Sequence, residues 1–243
     1  MCFNITFSRM KDYIEARQGS GLQGIDDLQP VYHASGFRLP KHPVVLDEEP
    51  GKLQFLRWGL VPHWTRDRES ADRIRFQTLN ARSETVFEKP SFRGPIRGRR
   101  CLVPVDGFFE FREVGGAKFP YLVRMKDGEP FSLGGIWDIW KGEEDVRTFS
   151  IITTEANPLM RKIHNTKFRM PLMLKREDEA LWLDRDLGEG EIKELMVPFD
   201  ETLMTAHPVS RLLAEKGADT NVPGILDKVE YGKLNFLDLD SFP

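Results

Sequence analysis

Cysteine is scarce in this chain: Cys2 and Cys101 are the only two among 243 residues. Two thiols cannot build a disulfide framework or supply the ligand spacing of a structural zinc site, so no metal is expected. Their scarcity points to a reducing, cytoplasmic setting. No run approaches 18 consecutive apolar residues, which excludes a transmembrane helix and leaves no membrane partner to expect. The opening Met-Cys-Phe-Asn-Ile-Thr-Phe lacks the basic flank and long apolar stretch of a secretion signal. A P-loop, a dinucleotide fingerprint and a Gly-x-Ser-x-Gly elbow are missing too, and no cofactor is expected. Without repeats, low-complexity segments or a Pro/Ser/Gly linker, the chain reads as a single domain over residues 1–243.

Apolar and aromatic residues are plentiful. Hydrophobic residues make up 40% of the chain, with 17 Phe, 5 Trp and 4 Tyr, enough for a real core without staples. Short β-branched or aromatic runs recur between turn formers. They predict strands over Pro43–Leu46, Leu53–Trp58, Cys101–Val105, Gly107–Phe111, Pro120–Met125, Phe131–Ile136, Thr148–Thr153 and Pro171–Leu174. Helices are fewer: Met10–Arg17, broken at Gly19–Gly24, then Pro158–Ile163, Glu177–Leu183 and Glu189–Met196. The pattern predicts an α+β fold, a single domain with a mixed or antiparallel β-barrel-like core flanked by a few helices.

The formal net charge of −3 hides an uneven distribution. Arg57–Arg100 carries eleven bases against five acids, a balance of +6, and ten of the eleven bases are arginine. Arg176–Pro243 balances to −9. Arginine forks suit phosphate, whereas a salt-bridged, solvated face would have the same composition.

Cys2 follows the initiator methionine, whose removal is favoured before a small side chain. The mature chain would then begin with a cysteine carrying two nucleophiles on adjacent carbons, an α-amine with pKa ~7.7–8.0 and a thiol with pKa ~8.5. The amine condenses with an aldehyde to a Schiff base, and the thiolate closes on the same carbon to a five-membered thiazolidine. An internal cysteine cannot do this, because its nitrogen is an amide. The same atoms would also suit an N-terminal nucleophile hydrolase or thiol (auto)peptidase, with the amine as base for the thiol.

Schiff-base chemistry needs groups that move protons. Glu110 lies in Gly107-Phe108-Phe109-Glu110-Phe111, where burial would raise its pKa; as an edge-strand residue it would instead face water. His164 stands between a predicted helix and a strand, as a functional imidazole or a structural one. Asn80, in Asn80-Ala81-Arg82-Ser83-Glu84-Thr85, suits an oxygen or a terminal amine as well as a helix cap or turn. In Trp58-Gly59-Leu60-Val61-Pro62-His63-Trp64, Trp58 reads as core. Trp64, before Thr65-Arg66-Asp67-Arg68, is the candidate for an exposed stacking surface toward single-stranded bases.

Taken in order, these segments resemble the SOS-response-associated peptidase (SRAP) family, the abasic-site processing proteins. Met1-Cys2, Trp58-Gly59-Leu60-Val61-Pro62 with Trp64, and Asn80–Thr85 are joined by Arg100-Cys101-Leu102-Val103-Pro104 and Gly107–Phe111. Ile151-Ile152-Thr153-Thr154, His164 with Arg169-Met170-Pro171, and His207-Pro208-Val209-Ser210 complete the set. The resemblance implies a partner, single-stranded DNA carrying an abasic site, and a thiazolidine crosslink through Cys2 that shields the lesion. It implies that Asn80 holds the N-terminus and sugar, Glu110 handles protons and His164 assists the Schiff base. Arg82, Arg169 and Thr153 would contact phosphates, Trp64 would wedge or stack, and the protein would act as a monomer. Two departures stand out. Phe3 and Asn4 replace the usual Gly-Arg after the cysteine, and four residues separate His164 from Arg169. A non-covalent reader of single strands or modified bases is the further alternative.

Overall fold

The computed structural model describes residues 2–17, 21–23, 29–142 and 144–232. Half of the predicted break at Gly19–Gly24, residues 19, 20 and 24, therefore lies outside the described residues. In chain order the strands are β1 (Asn4–Phe7), β2 (Val31–Ser35), β3 (Lys41–Leu46), β4 (Glu49–Trp58), β5 (Asn80–Arg82), β6 (Arg100–Val105) and β7 (Gly107–Val114). They continue with β8 (Ala117–Met125), β9 (Phe131–Lys141), β10 (Asp145–Glu155), β11 (Arg169–Pro171), β12 (Met173–Leu174) and β13 (Met204–Pro208). The helices are α1 (Met10–Ala16), α2 (Arg68–Ile74), α3 (Pro95–Gly98), α4 (Pro158–Ile163), α5 (Glu179–Leu183) and α6 (Glu189–Leu195).

Five strands close a mixed barrel. β4 pairs with β3, β3 with β6, β6 with β9 and β9 with β10, all antiparallel; β10 returns to β4 in parallel. Closure removes the open edges that an isolated sheet would present. The short strands β5 and β11 extend β10, and β12 extends β9. A second, antiparallel sheet runs β13-β8-β7-β1-β2. The α+β architecture and the barrel-like core expected from the strand pattern are both present.

β9 illustrates how tightly the barrel closes, since it lies between β6 and β10. A Cβ on Gly135 would lie 2.9 Å from the Cys101 sulfur, 3.0 Å from Val103 Cγ2 and 3.1 Å from the Ser150 carbonyl oxygen. The two neighbouring strands, β6 and β10, leave no room for a methyl group. Gly135→Ala is expected to cost about 1–3 kcal/mol through overpacking, despite the stiffer unfolded chain that alanine provides. A denaturant midpoint equal to or above the wild-type value would contradict this.

The N-terminus is held by pairing rather than left to fray. β1 lies between β2 and β7, with Asn4 opposite both Ser35 and Phe109 and Ile5 opposite Phe108. Asp106 then accepts hydrogen bonds from the Ser8 and Arg9 amides at 2.7 and 2.8 Å, fixing the entry to α1. Cys2 follows from this anchoring: it is fully buried against the barrel core. Among the described residues, no helix is long and apolar enough to cross a membrane.

Candidate functional site

Glu110 sits on β7 between aromatic neighbours, and only 4% of its surface is exposed. Burial pushes its pKa up to about 7, against the stabilising backbone amide of Phe111. This carboxyl therefore titrates near neutrality instead of staying ionised. Cys2 feels it: burial first, and then the negative charge of Glu110, push the thiol pKa upward. The resting group is a neutral thiol. The freely formed thiolate suggested by the ordinary cysteine pKa does not survive this environment, so the thiol needs a base to give up its proton.

His164 closes α4. Its Nδ1 lies 2.9 Å from the Arg169 carbonyl oxygen and 3.8 Å from Glu110 Oε2. A carbonyl only accepts, so Nδ1 carries the proton and Nε2 the lone pair. Burial, followed by nearby positive charge, lowers the His164 pKa to about 4. The ring is neutral at physiological pH, and its approach to Glu110 is not an ion pair. The long spacing to Arg169 is absorbed by a turn in which the Phe168 amide bonds the His164 carbonyl at 3.0 Å. Phe168 adopts a left-handed φ of 52°, costly for a non-glycine residue. The turn brings Arg169 back to His164 despite the four intervening residues.

Asn80 opens β5, whose strand conformation comes from parallel pairing with β10: Asn80 lies opposite Ile151, and Arg82 opposite Thr153. Asn80 is 9% exposed, and neither its amide oxygen nor its amide nitrogen has a hydrogen-bond partner among the described residues. An amide left wholly unsatisfied is expensive and marks a place where a ligand can bind. A short relay ties it to the N-terminus. The Phe3 carbonyl accepts from Gly36 at 2.8 Å, and a Cβ on Gly36 would meet Trp58 at 3.2 Å and Leu79 at 3.4 Å. Leu79 immediately precedes Asn80.

The basic residues divide into two groups. Arg82 is exposed. Arg169 is 9% exposed, and its guanidinium grips Glu84 with both terminal nitrogens while also donating to the Thr153 carbonyl at 2.6 Å and hydroxyl at 3.2 Å. Thr153 is fully buried beneath it. Much of the Arg57–Arg100 block is similarly engaged. Arg68 pairs with Asp72, Arg73 with Glu69, Arg97 with Glu189 and Arg99 with Asp138. Arg100 is completely buried and donates to the carbonyls of Trp182, Ile96 and Asp184. The salt-bridged reading of this block holds for the four paired arginines, Arg100 is spent on backbone carbonyls, and the balance of +6 overstates the cation available to a ligand.

Trp58 is core, stacked on Phe149 with ring centroids 5.9 Å apart. Trp64 is half exposed, on a loop clamped from both sides. The buried Asp138 accepts from the His63 amide at 2.9 Å, and the Trp140 indole donates to the Thr65 carbonyl at 2.8 Å. Asp138 and Glu84 are the supporting residues that sequence reasoning passed over. The signal used for Glu110, a carboxylate inside an aromatic strand, is equally present in Ile136-Trp137-Asp138-Ile139-Trp140. Size does not mark the site: a cleft of about 830 Å³ bordered by Arg161, Lys175 and Phe199 includes none of Cys2, Asn80, Glu110 or His164. No cluster of three metal-ligating side chains occurs among the described residues.

Comparison with known proteins bears on the same chain segments. Residues 1–216 match the family described as SOS response associated peptidase (SRAP). The abasic site processing protein YoqW of Bacillus subtilis is 34% identical over 223 residues, covering 88% of this chain and 94% of its own. The abasic site processing protein HMCES of Gallus gallus is 33% identical over 211 residues, covering 76% of this chain and 60% of its own. A crystal structure of a protein from Bacteroides thetaiotaomicron superposes with a TM-score of 0.86 at 39% identity, covering 94% of this chain and all of that one. A second, from Bordetella bronchiseptica, shares the fold at a TM-score of 0.74 and 21% identity. With the family pattern spanning most of its length, the chain belongs to the SOS response associated peptidase (SRAP) family.

Proposed function

We propose that this protein captures the aldehyde of a ring-opened abasic site in single-stranded DNA, forming a thiazolidine through Cys2 once Met1 is removed. The observation that carries this reading is the seat of Cys2: a cysteine one methionine from the chain start, buried beside a carboxyl that titrates near neutrality. The names of the relatives, abasic site processing proteins, supply the substrate class.

The chemistry balances without an oxidant or cofactor. The α-amine adds to the aldehyde carbon, and loss of one water leaves a C=N bond. The thiol then adds across that bond: sulfur joins carbon, and its proton reaches nitrogen. Because burial keeps the thiol neutral, Glu110 as carboxylate takes the sulfur proton and returns it to nitrogen. His164, neutral and with its lone pair on Nε2, accepts a hydrogen bond at the carbinolamine stage. Asn80 offers its unsatisfied amide to the sugar oxygen or the amine. Arg82 meets a flanking phosphate directly, Arg169 exchanges Glu84 for a second one with Thr153 supporting it, and Trp64 stacks on a base. The reaction consumes one protein and one lesion, so a monomer suffices.

Intact-mass measurement tests this. Protein incubated with an abasic single strand should give an adduct equal to the Met1-less protein plus the oligonucleotide minus one water. An adduct without loss of water, no adduct, or a mature protein retaining Met1 would overturn the mechanism.

A further inference from the structure

Phe37 is 57% exposed, a large aromatic on the surface that the core does not use. It lies on the single 3₁₀ turn Gly36–Arg38, and its ring centroid is 4.7 Å from that of Phe3 at an interplanar angle of 42°. Phe3 is half-buried, packs against the barrel core, and is the residue after Cys2. It therefore backs the outer ring and is not itself the outward face.

The turn is built rather than loose. Its Gly36 amide bonds the Phe3 carbonyl at 2.8 Å, and its floor is Trp58 and Leu79. Leu39 closes it with a left-handed φ of 50° and an amide bond to the Gly36 carbonyl at 2.9 Å. A leucine held in that region is strained and persists because its surroundings fix it. An exposed aromatic is thus held in a defined place against Phe3, the residue after Cys2.

We propose that Phe37, backed by Phe3, forms a nucleobase subsite: the base next to the lesion stacks on the Phe37 ring. An abasic nucleotide has no base to stack, so its neighbour loses a stacking partner within the strand, and the Phe37 face replaces it. Every base has a π-face, so the subsite takes any base rather than reading sequence. Exposed Arg38 follows immediately, donating to the Ala218 carbonyl at 3.3 Å, and in this proposal supplies a cation for the phosphate joined to that nucleotide.

This inference rests on the reading of Cys2 as an abasic-site residue, and the experiment separates the two. Single strands carrying a tetrahydrofuran lesion have no aldehyde and cannot crosslink, so fluorescence anisotropy reports binding alone. In one series the nucleotide beside the lesion, on the 5′ or 3′ side, keeps its base; in the other it is a second tetrahydrofuran. Wild-type protein should bind the strand with the base about tenfold more tightly on one of the two sides. Phe37→Leu, which keeps an apolar side chain on an exposed turn, should reduce that ratio to about one, with an unchanged melting temperature. Equal affinities in the wild type on both sides, or a ratio that survives in Phe37→Leu, would overturn the subsite. Failure of covalent capture with a true abasic strand would count against the Cys2 chemistry and leave this ratio untouched.

Discussion

Cys2→Ser should lose the heat-stable adduct by about 10²-fold or more while still giving a Schiff base that borohydride traps. Both nucleophiles of the wild-type residue sit on adjacent carbons, so closing the second bond is intramolecular, and effective molarities for such closures are large, about 10⁵ M or more. Serine keeps the amine and therefore the first step, but its hydroxyl is a poor nucleophile toward the C=N bond. Cys2→Ala removes the second nucleophile altogether and should behave the same way. Because Cys2 is fully buried, alanine leaves a sulfur-sized void costing about 1 kcal/mol, too little to unfold a domain of this size. A third variant completes the logic: one alanine inserted before Cys2 keeps the thiol but acylates its amine, so no thiazolidine can close and no heat-stable adduct should form. An adduct that survives heating in Cys2→Ala would refute the thiazolidine.

The candidacy of Cys2 for the proposed chemistry was legible from position, because an amine beside a thiol exists only where cysteine heads a chain. So were the longer strands, whose apolar runs lie between turn formers; the barrel strands β3, β4, β6, β9 and β10 each contain a predicted segment. The shorter ones were not. β5 is Asn80-Ala81-Arg82, polar at both ends, and is a strand only because Ile151–Thr153 offers it a parallel partner. β1, four residues long, owes its place to β2 and β7 on either side. Local propensity carries little information where pairing decides. Charge behaves likewise. The pairs Arg68–Asp72 and Arg73–Glu69 lie at helical spacing and could be read from sequence, but Arg100 disappears into the core for reasons that only α3 and α5 supply. Convergence was the least visible feature: His164 and Glu110 are 54 positions apart in sequence and 3.8 Å apart in space.

Glu110→Gln is expected to lower the crosslinking rate about 10²-fold and to change the pH profile in a way that a structural role would not. In the wild type, Glu110 gains its charge as pH rises through about 7, so the rate should climb there. Deprotonation of the α-amine near ~7.7–8.0 pushes in the same direction. His164, with its pKa near 4, stays neutral across this range and contributes no limb. Glutamine matches the shape of the acid but cannot take the thiol proton, so the lower limb should vanish and only the amine's should remain. Stability moves the opposite way. Glu110 has a raised pKa in the folded state, so between its unfolded value of 4.5 and about 7 the folded protein holds a proton that the unfolded chain has released. Its contribution to stability is fully present below pH 4.5 and is lost as pH rises through about 7. The glutamine variant should therefore match wild type at pH 4.5 and melt higher than wild type above pH 7. A variant that is more stable and yet slower separates proton transfer from fold maintenance, because damage to the fold would lower both. A Glu110→Gln protein that retains the limb near pH 7 would assign that proton to another group.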